Sequence, residues 1–262
     1  MTFLTKALTA ASLLVLSAGA AAATPAIGLS GDKTLVMIDS ATGKVGGSMD
    51  VSGVDKLLGI DQRPATGQLI GVTADHRIVE INPKTGEATA ISTMDKMLPI
   101  EDGNPVIVDF NPKANKLRFM TGTTNHRVDI ESGKVTVDGS LSFEAKDMHA
   151  GEAPNIVAAA YINSFGKPAS TAMYDIDATI NAVIQQTSPN DGTLAAIGKL
   201  GIAKPQTYAF DIATNADGEN QAWLAAGTEL YTVSLENGGV TGKWTLEGLE
   251  TPLRDITFMT AN

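Results

Sequence analysis

"GIDQRPATGQLIGVTADHRIVEINPKTGEATAI" occupies residues 59–91 and carries two similar turns, Ala65-Thr66-Gly67 and Lys84-Thr85-Gly86. A short apolar run from Leu57 to Asp61 ends in a carboxylate. The chain turns at Pro64 to Gly67, and Gln68 to Thr73 reads as a second strand. It turns again at Ala74 to His76, and Arg77 to Asn82 alternates apolar and polar residues as a third. The turn at Pro83 to Gly86 leads into a fourth, Glu87 to Ser92. Four short antiparallel strands joined by tight turns make a β-meander. The Pro and Gly placements suit type I turns followed by a bulge-forming glycine.

The unit recurs along the chain. "VIVDFNPKANKLRFMTGTTNHRVDIESGKVTVDG" (106–139) repeats the order of apolar run, Asp109, strand, turn, strand and Ser132-Gly133 turn. "YAFDIATNADGENQAWLAAGTELYTVSLENGGVTGKWTL" (208–246) repeats it with Asp211. "NIVAAAYINSFGKPASTAMYDIDATINAVIQQ" (155–186) reads as a divergent copy whose third strand is Met173 to Asp177. Two fragments remain. "KTLVMIDSATGKVGGSMDV" (33–51) matches the later half of a unit, and "LRDITFMTAN" (253–262) matches the start of one. Together they form one copy split across the termini, as in a ring closed by its own ends. Asp61, Asp109, Asp211 and Asp255 recur at intervals of one or two units of about 40–50 residues, the length of a four-stranded propeller blade. The expected fold is all-β, a five-bladed β-propeller in which 253–262 supplies the inner strand of the blade that holds 33–51. Radial closure leaves only short, protected strand edges.

Composition limits the function classes. The chain has 262 residues, 43% of them apolar, enough for an ordinary core. It has no cysteine, which excludes disulfides and thiolate chemistry. Residues 1–23 read as a secretory signal peptide, with Lys6 in the n-region, an Ala- and Leu-rich stretch, and cleavage near Ala23. Residues 24–262 then form a single domain, exported to the periplasm or the extracellular space, with no membrane span. The formal charge of −10 opposes binding to nucleic acid or anionic lipid.

These segments resemble an uncharacterised bacterial family, a domain of unknown function found in exported, propeller-like proteins. The resemblance rests on 59–91, on "VDFNPKANKLRFMT", on "APNIVAAAYIN" and on "MYDIDATINAVIQQTSPNDGTLAAIGKLGI", and it covers nearly the whole mature chain. It implies export and a propeller, and it carries over no catalytic residue. Family members often read Asn-x-Arg before the third turn of the second unit, which Asn125-His126-Arg127 preserves.

Catalytic motifs are absent from the sequence: no Gly-x-Ser-x-Gly, no His-Glu-x-x-His and no phosphate-binding glycine loop before a helix. His76 and His126, each followed by Arg, read as turn residues on adjacent blades. His149 lies in a polar connection. Arg63, Asn125, Arg127 and His149 are candidate residues of a ligand-binding face. The tyrosines and tryptophans read as packing between blades. The four repeated aspartates fall where first strands line a central channel, with Ala159 at the matching place in the divergent unit. They clasp neighbouring backbone amides, face channel water, or hold a cation. An oxygen-only set suits Ca²⁺ or Mg²⁺ rather than zinc. The reading is an exported, monomeric binding or scaffold module for a small molecule, glycan or envelope protein. The alternative is a hydrolase or lyase acting on a sugar or lactone with these carboxylates.

Overall fold

The computed structural model describes residues 24–101 and 103–260. The expected signal peptide lies outside the described residues. In chain order, β1 (Pro25–Ser30), β2 (Thr34–Asp39) and β3 (Lys44–Asp50) belong to the first blade. The second holds β4 (Leu57–Gln62), β5 (Leu69–Thr73), β6 (Arg77–Ile81) and β7 (Ala88–Thr93). The third holds β8 (Ile107–Asn111), β9 (Lys116–Thr121), β10 (Thr124–Asp129) and β11 (Lys134–Val137). The fourth holds β12 (Ser142–Phe143), β13 (Ile156–Tyr161), β14 (Met173–Asp177), β15 (Ala182–Ser188) and β16 (Thr193–Lys199). The fifth holds β17 (Tyr208–Thr214), β18 (Asn220–Ala226), β19 (Glu229–Val233) and β20 (Val240–Thr245), and β21 (Leu253–Phe258) returns to the first.

The sheets are therefore five, and the first runs β21-β1-β2-β3. β21 pairs antiparallel with β1 from Ala26↔Phe258 to Ser30↔Leu253, so strands from the two ends of the chain share one sheet. The inner strands β4, β8, β13, β17 and β21 neighbour one another in that order and close the ring. The apolar core divides into five clusters, one in each gap between successive blades. Both faces of an inner strand are covered, which explains why β4 and β17 are buried along their whole length.

The outer corners repeat with the same chemistry in every blade. The amide of Gly43 donates to Asp39, Gly86 to Asn82, Gly133 to Asp129, Gly192 to Ser188 and Gly238 to Ser234, each to the carbonyl four residues back. These are the turns between third and fourth strands, and each rests on the preceding blade. Gly133 has φ 70°, and a Cβ there would lie 2.0 Å from the Thr93 carbonyl oxygen. That corner needs glycine both for its left-handed backbone and for the close approach. Backbone bonds then join neighbouring blades at all five seams: Val45 to Glu247, Ser52 to Gly86, Asp95 to Gly133, Gly139 to Asn190 and Val240 to Leu200.

Three details differ from the sequence reading. The split blade begins at β1, ahead of residue 33. In the divergent blade, Met173–Asp177 is the second strand, not the third, and β16 completes the blade beyond residue 186. The long excursion between Tyr161 and Met173, rich in Ser, Gly and Pro, takes the place that an extra strand was expected to fill. β12 adds a fifth strand to this sheet, parallel to β16.

Candidate functional site

Each repeated aspartate lies on an inner strand and reaches the inner strand of the next blade. Asp61 Oδ2 accepts from the Phe110 amide at 2.7 Å, and Asp109 Oδ1 from the Tyr161 amide at 3.0 Å. Asp211 Oδ2 accepts from the Phe258 amide at 2.7 Å, and Asp255 Oδ2 from the Ile60 amide at 2.8 Å. Adjacent inner strands do not pair as a sheet, so these amides have no ladder partner on that side. The carboxylates supply it. Asp61 Oδ1 also accepts from the Thr257 hydroxyl at 2.8 Å, and Asp211 Oδ1 from the Ile212 amide at 2.6 Å.

The fifth seam, from β13 to β17, has Ala159 at the corresponding place and uses the strand ends instead. Ser164 Oγ donates to the Ile212 carbonyl and its amide donates to Thr214 Oγ1, both at 2.8 Å. Asn163 and Asn220 exchange bonds beside it at 2.7 and 2.9 Å.

Asp61, Asp109 and Asp211 converge, each bringing a carboxylate oxygen within 4.8 Å of the other two. Asp255, expected in the same ring, is not part of this group, although its charge is felt by Asp61 and Asp109. Burial, followed by mutual repulsion, pushes Asp61 and Asp109 well above the usual carboxylate range. Burial raises Asp211 to about 6, against the pull of its two amide bonds, and Asp255 to about 8. The three converging groups line a cavity of about 10 Å³, with Gln62, Ser164, Thr214, Thr257 and Thr260 around it. That is room for about one water-sized species.

The four residues expected on a ligand face do not line this cavity. Arg63 is buried, with Nε on Asn115 and an ion pair to Glu131. Asn125 is buried and bonds Arg118, the Gly139 carbonyl and the Pro189 carbonyl. Arg127 pairs with Asp138 at 2.6 Å. His149 packs against Phe143 and Glu152. His76 and His126 are not equivalent: His76 sits in an exposed turn at φ 74°, whereas His126 is buried on β10 and its Nδ1 has no hydrogen-bond partner among the described residues. Burial lowers its pKa. The tryptophans pack as expected, with Trp223 stacked on Phe258 at 5.2 Å and tilted against Trp244 at 5.4 Å at the closing seam.

Two groups escaped the sequence reading. Arg118, 1% exposed, donates to Asp138, Asn125, Asn190 and the Tyr161 hydroxyl, tying the third blade to the fourth. Asp175 stands on β14 directly opposite Ala159. It is fully buried, and neither carboxyl oxygen has a hydrogen-bond partner among the described residues. Burial raises it to about 8, offset in part by the neighbouring Gln186 amide and Arg118. The available signal was a charged residue inside a strand of the one blade that lacks an inner aspartate.

Residues 34–257 match the family described as a domain of unknown function, DUF4394, and the chain belongs to that family. No curated protein matches the sequence significantly. Among solved structures, the chain is similar to a protein of unknown function from Bacteroides thetaiotaomicron. Identity is 14% and the TM-score 0.50, over 92% of this chain and 66% of that one. A protein of unknown function from Bacteroides caccae is similar at 12% identity and TM-score 0.45, over 87% and 75%. A luciferin-regenerating enzyme is similar at 12% identity and TM-score 0.48, over 86% and 72%. Likeness at these identities speaks to fold alone.

Proposed function

We propose that this DUF4394 protein is an exported binding or scaffold module that recognises a glycan, small molecule or envelope protein at its perimeter and performs no chemistry in its channel. One observation carries the reading: the space between the channel carboxylates is about 10 Å³, too small for a sugar or lactone ring. Each of these carboxyl groups also accepts an inter-blade hydrogen bond. Glycosidase carboxyl groups flank a substrate, at separations of about 5–10 Å, and need access to both sides of the scissile bond. Ligand-sized hollows lie on the blades instead. One of about 660 Å³ is lined by Gln68, Glu80, Asn82, Lys84 and Glu87 on the second blade. Another, of about 380 Å³, runs beside Gly46, Gly47 and Leu249. The −10 charge adds solubility suited to an exported domain.

A glycan array run beside pull-down from an envelope fraction tests this, with Glu80→Ala/Glu87→Ala and Asp109→Asn proteins in parallel. The expected result is a ligand whose capture drops in the double variant and persists in Asp109→Asn. Turnover of a sugar or lactone substrate by the wild type, abolished in Asp109→Asn, would overturn it.

A further inference from the structure

We infer that Asp61, Asp109 and Asp211 form a binding site for one Ca²⁺ ion on the axis of the ring, a site independent of the perimeter recognition above. Three carboxylates from three different blades bring oxygens within 4.8 Å of one another. All three are buried, and none takes part in the ion pairs formed by the described residues. Acidic side chains often cluster without purpose on a surface, but here the cluster is buried and lines a cavity with room for one water or one ion.

A second observation points into that cavity. Asp109 is 5% exposed and lines it, yet among the described residues its carboxylate takes one hydrogen bond, to Oδ1, and Oδ2 has no donor. The clasps do not exhaust the other two groups either, since a carboxylate offers about four lone-pair sites. Asp61 and Asp211 each take two bonds. The Thr257 hydroxyl and Ser164 Oγ add neutral oxygens around the cavity.

The donor chemistry selects the ion. An all-oxygen set with no His or Cys disfavours zinc and suits a hard cation. Oxygens bound to one Ca²⁺ lie at most about 5 Å apart, twice the calcium–oxygen distance. The three oxygens, within 4.8 Å of one another, fall inside that limit, and calcium's flexible coordination tolerates an irregular set where Mg²⁺ demands a near-ideal octahedron. A cation there joins the second, third and fifth blades electrostatically, in addition to the hydrogen bonds that already link them.

Equilibrium dialysis of the mature, EDTA-treated protein against millimolar CaCl₂, read by atomic emission, tests the site. Calorimetric melting runs alongside it. The expected result is one calcium per chain and a melting temperature that climbs with calcium concentration, by linkage. Asp109→Asn keeps an acceptor for the Tyr161 amide and so preserves the clasp. It should lose the bound calcium or weaken it by at least the about 10-fold that removing an outer-shell partner costs. Asp255→Asn, outside the triad, should retain one equivalent. A folded wild-type protein with no bound calcium and no melting shift overturns the inference. So does an Asp109→Asn protein that binds calcium as the wild type does. A melting shift with Mg²⁺ that equals or exceeds that with Ca²⁺ overturns the choice of ion.

Discussion

Four seams of the ring are spanned by an aspartate, and the one between β13 and β17 is not. The comparison separates what the repeat imposes from what one blade improvises. Where the aspartate is present, a buried carboxylate meets a buried amide on the next inner strand. Where Ala159 replaces it, uncharged hydroxyls and amides at the strand ends do the joining. The first arrangement is stronger per bond wherever the acceptor is ionised, because hydrogen bonds to charged groups are worth about 1.5–3 kcal/mol against about 1 for neutral pairs. It also concentrates three acids on the axis. The outer corners show no such division: the glycine turn and its bond to the preceding blade occur at all five seams.

The largest effect is expected where the comparison does not apply at all. Removing 253–262 takes away the inner strand of the first blade. It also removes Arg254, whose guanidinium bonds the carbonyls of Gly31, Asp32, Leu57 and Leu58. The truncated protein should lack a cooperative melt and aggregate, since an open ring bares a strand edge. A truncated chain that melts like the full one would break the closure.

Next come the seams themselves. Asp61→Ala leaves the Phe110 amide and the Thr257 hydroxyl without an acceptor, and should cost about 3 kcal/mol in urea unfolding at EDTA-buffered low calcium. Ser164→Ala removes one hydroxyl bond and should cost about 1 kcal/mol. Equal losses would erase the distinction between the two kinds of seam.

A smaller, pH-dependent difference is expected at Asp175. It is faced by Arg118 from β9 and Gln186 from β15, with Asp177 on its own strand. Its folded pKa of about 8 lies above the ordinary 3.8, so the folded chain keeps a proton that the unfolded chain releases. The stability this contributes is complete below about pH 4 and is lost as pH rises through about 8. Asp175→Asn stays uncharged, so its stability relative to wild type should improve between pH 6 and pH 9. Parallel stability curves for the two proteins would remove Asp175 as the source.

The sequence disclosed what repeats. Turn glycines and inner aspartates recur at blade spacing because the same backbone corner and the same orphan amide recur. Blade number and closure could therefore be read from them. β1 was hidden because it follows directly on an Ala-rich stretch of sequence. Met173–Asp177 was misplaced because an 11-residue loop stands where a two- to five-residue hairpin was expected. The pairing of Ser164 with Thr214, the Arg118 network and the isolation of Asp175 arise from contacts between blades, and no local pattern records those. Asp255 shows the same limit: its spacing places it with the other three, yet the ring geometry leaves it outside the converging group.

Amide hydrogen exchange followed by NMR reads directly whether inner-strand aspartates join each blade to the next. In the wild-type protein the amides of Ile60, Phe110, Tyr161 and Phe258 should exchange only through global unfolding. Asp61→Ala should accelerate Phe110 selectively, by more than its global destabilisation accounts for, while Tyr161 and Phe258 follow global stability. A Phe110 amide that exchanges in step with the other three in that variant would contradict the clasp.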